Sequence, residues 1–305
     1  MKQIILFIMK RKYILSAGTI GIVLMMLGQL CFAINDTLVK EIVIDSQKNM
    51  SVVNVIFLRG IITTLFIFLY LKYYEKKNII SIFKIKKYHQ RGVFEVLTAI
   101  CFFTGLILLP VAEVYTLLMT NPFFVTIFAF IFLREKVGIR RWSAVVIGFI
   151  GVVFVINPQN MNFNFLFIFP IIAAIFLTVR DIATKGIATK NNSFDIIFIT
   201  SILMTAFSGI GSLFFEFTFK LEYLPNLLIS SIFLTIAYVF SVLTIFYAPL
   251  SLTASSRYTV IVFGMVFGYL ILNEVPSTNI IIGALIISVS GLFVINRQKK
   301  LGKIK

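Results

Sequence analysis

The sequence predicts an all-α polytopic membrane protein with ten transmembrane helices, arranged as two inverted five-helix repeats with both termini cytoplasmic. Three observations carry this prediction: long apolar runs recur, positive charge alternates between the connecting segments, and one stretch recurs after 139 residues. Composition sets the class, because 59% of the residues are hydrophobic, 13% are charged, and mean hydropathy is +1.01. A soluble domain cannot bury that much apolar surface.

Apolar runs of about 20 residues are long enough to cross ~30 Å of hydrocarbon as helices. The chain contains ten such runs, which we number spans 1 to 10. Their predicted limits are 14–36, 51–71, 92–109, 111–133, 142–157, 164–180, 194–215, 226–247, 249–272 and 278–296.

The positive charges follow the topology. With the N-terminus inside, the inner segments hold 23 of the 28 Lys and Arg residues, and the outer segments hold only Lys40, Lys48 and Lys220. Arg59 and Arg257 fall inside spans. This is the positive-inside pattern. The net charge of +16 therefore reflects membrane orientation, and we expect no nucleic-acid partner.

The two halves of the chain repeat one another. Pro110–Asn157 aligns with Pro249–Asn296 without a gap, and eleven of the 48 positions are identical. The identities include Glu135 with Glu274, which we expect to pin the turns after spans 4 and 9. They also include a Phe-Val-Ile-Asn motif whose Asn is expected to end spans 5 and 10.

Each repeat holds five spans, with boundaries at 13–158 and 163–297. Because five is odd, the second repeat enters the membrane from the opposite side. Inverted repeats are typical of secondary transporters, which bind substrate near the midplane where the repeats meet. The sequence has no P-loop, no H-E-x-x-H and no paired-Cys metal motif. We therefore expect no cofactor, no metal site, no catalytic residue, and transport driven by ion coupling or exchange.

Two stretches carry a family resemblance: "LPVAEVYTLLMTNPFFVTIFAFIFLREKVGIRRWSAVVIGFIGVVFVINP", and "LNEV" followed by "GALIISVSGLFVIN". They resemble the EamA branch of the drug/metabolite transporter superfamily. "NDTLVK", "FLRG", "SRYT" and "NEVP" are similar to patterns of its bacterial S-adenosylmethionine uptake proteins. The resemblance implies a bacterial inner-membrane protein whose spans 1–4 and 6–9 line a central cavity. Spans 5 and 10 would be peripheral and could form a homodimer.

Polar residues present in only one repeat are candidates to contact an asymmetric substrate. Arg59 lies about 12 Å into span 2 at 1.5 Å per residue. Such a charge persists in a membrane only beside a cavity or a partner. The alternative for Arg59 is a structural ion pair with Glu113, Asp36 or Glu95. The alternative for Arg257 is an extended side chain that reaches the cytoplasmic surface.

The predicted substrate site draws on spans 2, 4 and 9. Arginine suits a carboxylate or phosphate, because its fork makes two parallel hydrogen bonds. Asn121-Pro122 also predicts a helix break facing the cavity. The predicted binding residues are Arg59, Tyr115, Thr116, Met119, Asn121, Ser256, Arg257 and Tyr258, with Gln29 and Tyr238 as further candidates.

A second set of carboxylates is predicted to gate the site or to form ion pairs. Asp36 and Asp181 occupy matching positions in the two repeats, with Lys40 and Lys185 four residues later. They could pair along one helix face, or act as gates related by the inversion. Glu113 is either a carboxylate favoured at a helix start or the partner of a cationic substrate.

These observations predict a secondary transporter that moves a small organic metabolite by alternating access. The preferred substrate is zwitterionic or carboxylate-bearing, such as S-adenosylmethionine or an amino acid. The alternative on the same scaffold is an exporter of amines, drugs or flavins. A membrane enzyme would need converging acids or a metal cluster, and a structural protein would not need intramembrane arginines. The expected partners are a small-molecule substrate and the lipid bilayer.

Overall fold

The regular structure of the described residues is helical. The computed structural model describes residues 17–45, 50–131, 134, 137–157, 165–185, 187, 193–214, 220–247 and 254–300. Within these ranges twelve α-helices follow one another. They are α1 (Ala17–Asp45), α2 (Val52–Leu69), α3 (Ile79–Phe83), α4 (Lys86–Leu108), α5 (Val111–Leu118), α6 (Asn121–Ile131), α7 (Ile139–Ile156), α8 (Ile168–Lys185), α9 (Ser193–Ser212), α10 (Leu224–Tyr247), α11 (Thr259–Leu272) and α12 (Thr278–Lys300).

Most of these helices can cross a membrane. In the described part of the chain, eight helical segments have the length and apolar composition of a membrane span. Two shorter apolar helices, Trp142–Ile156 and Ser256–Leu272, correspond to spans 5 and 9. The prediction of an all-helical membrane protein is confirmed. The inverted arrangement of ten spans and the cytoplasmic termini stay predictions.

The first helix is longer than predicted. Span 1 was expected to end at residue 36, but α1 continues to Asp45. Polar side chains at and beyond the predicted end lie inside the bundle: Asp36 is 7% exposed and Lys40 is 3% exposed. Hydropathy alone ends a helix at such residues, because it cannot tell a buried charge from a solvated one.

One predicted helix break and two predicted helix ends can be compared with the structure. Span 4 is broken as expected: α5 ends at Leu118 and α6 begins at Asn121, just before Pro122. Asn157 ends α7 in the left-handed conformation at φ 45°, with its N–H bonded to the Val153 carbonyl. The prediction for Asn296 was wrong, because α12 continues through it to Lys300.

Helices from the first half of the chain pack mainly on helices from the second half. The most extensive contacts join α1 with α10, α7 with α12, α2 with α9, α4 with α8, α1 with α11, and α4 with α9. The α7–α12 crossing is close, since a Cβ on Gly283 would lie 2.8 Å from the Gly151 carbonyl oxygen. A homodimer through these two helices stays a prediction.

Candidate functional site

A cavity of about 300 Å³ lies between the helices of the two halves. Its lining comes from α1, α2, α4, α5, α8, α9, α10 and α11, and from the 3₁₀ turn Ala254–Tyr258. Seven lining residues are formally charged. They are Asp36, Arg59, Arg91, Glu95, Arg180, Asp181 and Arg257.

One end of the cavity is built around Asp36. The Tyr115 hydroxyl donates to Asp36 Oδ2 at 2.7 Å, and the Asn35 amide donates to Oδ1 at 2.7 Å. Arg59 Nη1 donates to Asn35 Oδ1 at 3.0 Å, so one amide lies between the guanidinium and the carboxylate. The Arg59 guanidinium also lies over the Phe103 ring, 5.1 Å from its centroid. We call this the Asp36 end.

The other end is a chain of ion pairs. Arg180 contacts Glu95 at 3.1 Å and Asp181 at 2.6 Å. Arg257 contacts the second Asp181 oxygen at 3.0 Å, and Arg91 contacts Glu95 at 2.8 Å. Three guanidinium groups therefore share two carboxylates. We call this the Asp181 end.

The two ends are separated along α4. Phe103 marks the Asp36 end, whereas Glu95 and Arg91 belong to the Asp181 end. The separation in sequence corresponds to about 12 to 18 Å at the helical rise of 1.5 Å per residue. Aromatic rings form part of the wall, including Phe32 and Tyr238, whose centroids are 5.8 Å apart. The cavity can therefore hold an elongated molecule with a polar group at each end.

Access to the two ends differs. Near the Asp36 end, Lys40 forms an ion pair with Glu274 at 2.5 Å and donates to the Leu109 carbonyl at 2.5 Å. Glu274 also accepts the Val111 N–H at 2.7 Å. The Lys40 side chain is 4% exposed, whereas that of Arg257 at the Asp181 end is 30% exposed. Among the ion-paired side chains at the two ends, Lys40 is therefore the least exposed and Arg257 the most exposed.

Comparison with known proteins identifies the family to which the chain belongs. The EamA-like transporter family matches residues 19–157. An S-adenosylmethionine uptake transporter of Rickettsia prowazekii is 30% identical over 200 residues, which are 64% of this chain and 67% of the relative. The chain belongs to the EamA-like transporter family.

Other relatives of this EamA-like transporter differ in cargo and direction. The pseudopaline exporter CntI of Pseudomonas aeruginosa is 24% identical over 289 residues, 92% of this chain and 97% of the relative. A riboflavin transporter of Vibrio cholerae is 33% identical over 99 residues, 32% of this chain and 33% of the relative. A solved crystal structure matches with a TM-score of 0.57 at 13% identity, covering 90% of this chain and 98% of its own, which supports the fold alone.

The family and these relatives are transporters and not enzymes. The chain is accordingly a multi-pass membrane transporter of small metabolites, consistent with the inner membrane of bacteria. These relatives include an importer, an exporter and a flavin transporter. The substrate of this chain and the direction of its transport are therefore argued from its own cavity.

The structure brings together only part of the predicted site of this EamA-like transporter. The predicted residues that line the cavity are Asp36, Arg59, Tyr115, Met119, Asp181 and Arg257, together with Gln29 and Tyr238. The predicted residues outside that lining are Glu113, Thr116, Asn121, Ser256 and Tyr258.

Local contacts explain several of these positions. The Thr116 hydroxyl is bonded to the Ala112 carbonyl at 2.6 Å, within its own helix. The buried Tyr258 ring points at α12, where a Cβ on Gly291 would overlap its hydroxyl. Glu113 lies in the first turn of α5, as predicted for a helix-start carboxylate.

The other two residues, Asn121 and Ser256, accept hydrogen bonds through their backbone carbonyls. The carbonyl of Asn121 accepts the Thr178 hydroxyl at 3.3 Å, and the carbonyl of Ser256 accepts the Thr259 hydroxyl at 2.7 Å. Each of these contacts joins or starts a helix near the cavity without forming part of its surface.

Sequence reasoning missed two arginines of the charged lining. Arg91 and Arg180 were counted as cytoplasmic loop cations, but they lie in α4 and α8 and line the cavity. The spacing of Arg91 and Glu95, four residues apart at the start of an apolar run, is the signal that could have identified this pair. Asn35 was also missed, although it lies beside Asp36.

One predicted pairing was wrong and one lies outside the described residues. Asp36 and Lys40 do not pair along their helix, because Lys40 turns to Glu274 and Asp36 to Asn35 and Tyr115. In the second half, the Lys185 side chain is not among the described parts of the chain. Glu135 also lies outside the described residues, so its predicted turn stays a prediction.

Proposed function

We propose that this chain is a secondary transporter of a zwitterionic or carboxylate-bearing metabolite, such as S-adenosylmethionine or an amino acid. The observation that carries the proposal is the charge of the cavity, where four arginines face three carboxylates. A guanidinium group can bind a substrate carboxylate, and a cavity carboxylate can bind a cationic group of the same substrate. Aromatic walls between the charged ends suit an apolar or heteroaromatic middle.

The proposed mechanism is alternating access between two five-helix repeats of inverted topology. The packing supports it, because exchanging the corresponding helices of the two repeats maps the observed helix pairs onto one another. The α1–α10 pair maps onto α8–α4, while α2–α9 and α7–α12 map onto themselves. Rigid repeats that pack on one another in this way can rock around a site at their interface.

The described conformation fits one state of that cycle. The buried Lys40 ammonium pairs with Glu274 beyond the Asp36 end, and the Arg257 side chain at the Asp181 end is 30% exposed. The excess of Lys and Arg in the segments next to the Asp181 end supports a cytoplasmic orientation for it. The proposed state is therefore open to the cytoplasm, with both termini on that side.

Export is the second candidate, because the pseudopaline exporter matches along 92% of this chain. Uptake and export use the same cavity and differ in the gradient that drives the cycle. The same scaffold could also carry amines, drugs or flavins, and the four arginines of the cavity favour members of that group that bear a carboxylate. A peripheral homodimer through α7 and α12 is compatible with either direction.

The test is transport by the full chain in proteoliposomes. Radiolabelled S-adenosylmethionine, amino acids and riboflavin are supplied outside, with and without unlabelled compound inside to detect exchange. We expect saturable flux of at least one carboxylate-bearing compound, lost in Arg59→Ala and in Arg257→Ala. Flux of amines or flavins alone would support the alternative. Normal transport by both variants would refute the assignment of the cavity as the substrate site.

A further inference from the structure

The Asp36 end offers an opposite pair of charges that do not neutralise one another directly. We propose that Arg59, Asn35, Asp36 and Tyr115 form a subsite for an α-amino carboxylate group, in which a carboxylate and an ammonium share one carbon. This inference rests on the proposed function and specifies which chemical group of the substrate binds at which end. It assigns the carboxylate to Arg59 and the ammonium to Asp36.

The carboxylate half of the subsite follows from the state of Arg59. Four arginines line the cavity, and Arg59 is the only one of them that no described carboxylate contacts within 4.0 Å. It is 4% exposed, and its Nε has no hydrogen-bond partner among the described residues. A buried donor left unpaired is costly. A ligand carboxylate beside Nε and Nη2 would satisfy it through arginine's side-on fork.

The ammonium half follows from the state of Asp36. Each of its oxygens accepts one neutral donor, from Asn35 and from Tyr115, both at 2.7 Å. No described Lys or Arg lies within salt-bridge distance of Asp36, which is 7% exposed and lines the cavity. A carboxylate has about four acceptor positions. The carboxylate therefore retains the capacity to accept an ammonium group.

Asn35 is the residue that keeps the two charges available. Its amide accepts from Arg59 and donates to Asp36, so it orients both groups and occupies the place of a direct ion pair. The matching position in the second repeat is Arg180, which contacts Asp181 directly at 2.6 Å. The same position therefore neutralises the carboxylate at one end of the cavity and leaves it free at the other.

The test compares ligands that differ by one group. Thermal unfolding of the purified full chain in detergent is followed with L-methionine, with 3-(methylthio)propylamine, which lacks the carboxylate, and with 4-(methylthio)butanoate, which lacks the amine. S-adenosylmethionine and its decarboxylated form make a second pair. We expect each stripped compound to need roughly 10- to 100-fold more ligand for the same stabilisation, the usual effect of one charge-assisted hydrogen bond.

Variants then assign each group to its residue. Arg59→Gln should remove the preference for the carboxylated compound, and Asp36→Asn should remove the preference for the amine. Asn35→Asp, which would neutralise Arg59 directly, should weaken the carboxylate preference and serves if Arg59→Gln does not fold. Lys220→Gln, an exposed charge outside the cavity, is the control and should behave as wild type.

Three results would overturn the subsite: no stabilisation by either amino acid compound, equal stabilisation by complete and stripped compounds, or a preference that survives in both charge variants. The outcome is separable from the proposed function. Selective binding without flux in proteoliposomes would refute transport and leave the subsite intact. Saturable flux with no preference for the α-amino carboxylate group would support transport and refute the subsite.

Discussion

Lys40 Nζ lies 2.5 Å from Glu274 Oε1, and this ion pair joins α1 to the turn before α12. The pair closes the bundle beyond the Asp36 end, where the Lys40 side chain is 4% exposed. Glu274 holds two groups at once, because it also accepts the Val111 N–H at the start of α5. One carboxylate on the turn between α11 and α12 therefore contacts both α1 and α5 at this end.

Glu274→Ala is expected to destabilise the closed conformation. The substitution leaves the buried Lys40 ammonium without its counter-ion, which costs about 3 kcal/mol when one partner of a buried pair is removed. The apparent melting temperature in detergent should fall clearly. The double variant Lys40→Met, Glu274→Gln should recover part of the loss, because it removes both charges and keeps an acceptor for Val111. Equal melting temperatures for the single and double variants would contradict this coupling.

At the Asp181 end, the balance of charge should matter more than any single ion pair. Asp181→Asn leaves Arg180 and Arg257 without a shared carboxylate, so we expect the free energy of unfolding to fall by about 2 to 4 kcal/mol. The melting temperature should fall with it. Adding Arg257→Gln should restore part of it by removing the unpaired charge. Glu222→Gln is the matched control, because its pair with Lys220 is solvent-exposed and such pairs contribute little. A loss of stability in Glu222→Gln as large as the loss in Asp181→Asn would contradict this expectation.

The α7–α12 crossing should not tolerate a side chain at Gly283. A Cβ there would lie 2.5 Å from Val155 Cγ2 and 2.8 Å from the Gly151 carbonyl oxygen, so the helices would have to separate. Gly283→Ala should cost about 1 to 3 kcal/mol, as overpacking usually does. Gly138→Ala is the control, since a Cβ at Gly138 has no neighbour within 4 Å. Folded yield and melting temperature are measured for both variants. Equal values for Gly283→Ala and Gly138→Ala would show that the helices cross less closely than described.

Lys77 should stabilise the connection between α2 and α9 below a pH of about 10.4. It contacts Asp195 at 2.7 Å and Glu75 at 3.0 Å. Burial alone lowers the pKa of Lys77, but the two carboxylates outweigh it and raise the pKa above the usual lysine value. A raised pKa in the folded state means that the stabilisation is complete below the unfolded pKa and is lost as pH rises through the folded one.

Lys77→Met should therefore lower stability by about 1 kcal/mol at neutral pH, as for a partly exposed ion pair. The difference from wild type should stay constant from about pH 6 to 9 and shrink above about pH 10.4. Melting curves over this range measure it. Lys84→Met, at an exposed position, corrects for the general loss of lysine charge at high pH. A difference that changes between pH 6 and 9 would point to another titrating group.

The helix positions were largely predictable, because membrane spans are marked by their composition. Hydropathy found the spans and Pro122 marked the break between α5 and α6. The limits failed where polar residues are buried by other helices. Lys40 lies in a part of α1 that composition assigns to a loop, and Arg91 lies in a corresponding part of α4.

The site was only partly predictable, for a related reason. Arg59 was identified because a lone charge deep in an apolar run needs a cavity or a partner. Arg180 was missed, since its two carboxylate contacts come from different helices and only the fold brings them together. Tyr258 was included because it stands beside Arg257, yet the turn that carries both directs its ring to Gly291 and not to the cavity.

The pairing of α1 with α10, α2 with α9 and α4 with α8 has a consequence for biogenesis. When the first five apolar segments have left the ribosome, most of their eventual neighbours have not yet been synthesised. Arg59, Arg91 and Glu95 then lie in the bilayer before the second half supplies the rest of their surroundings. These helices can therefore reach their final packing only after the helices of the second half have been inserted.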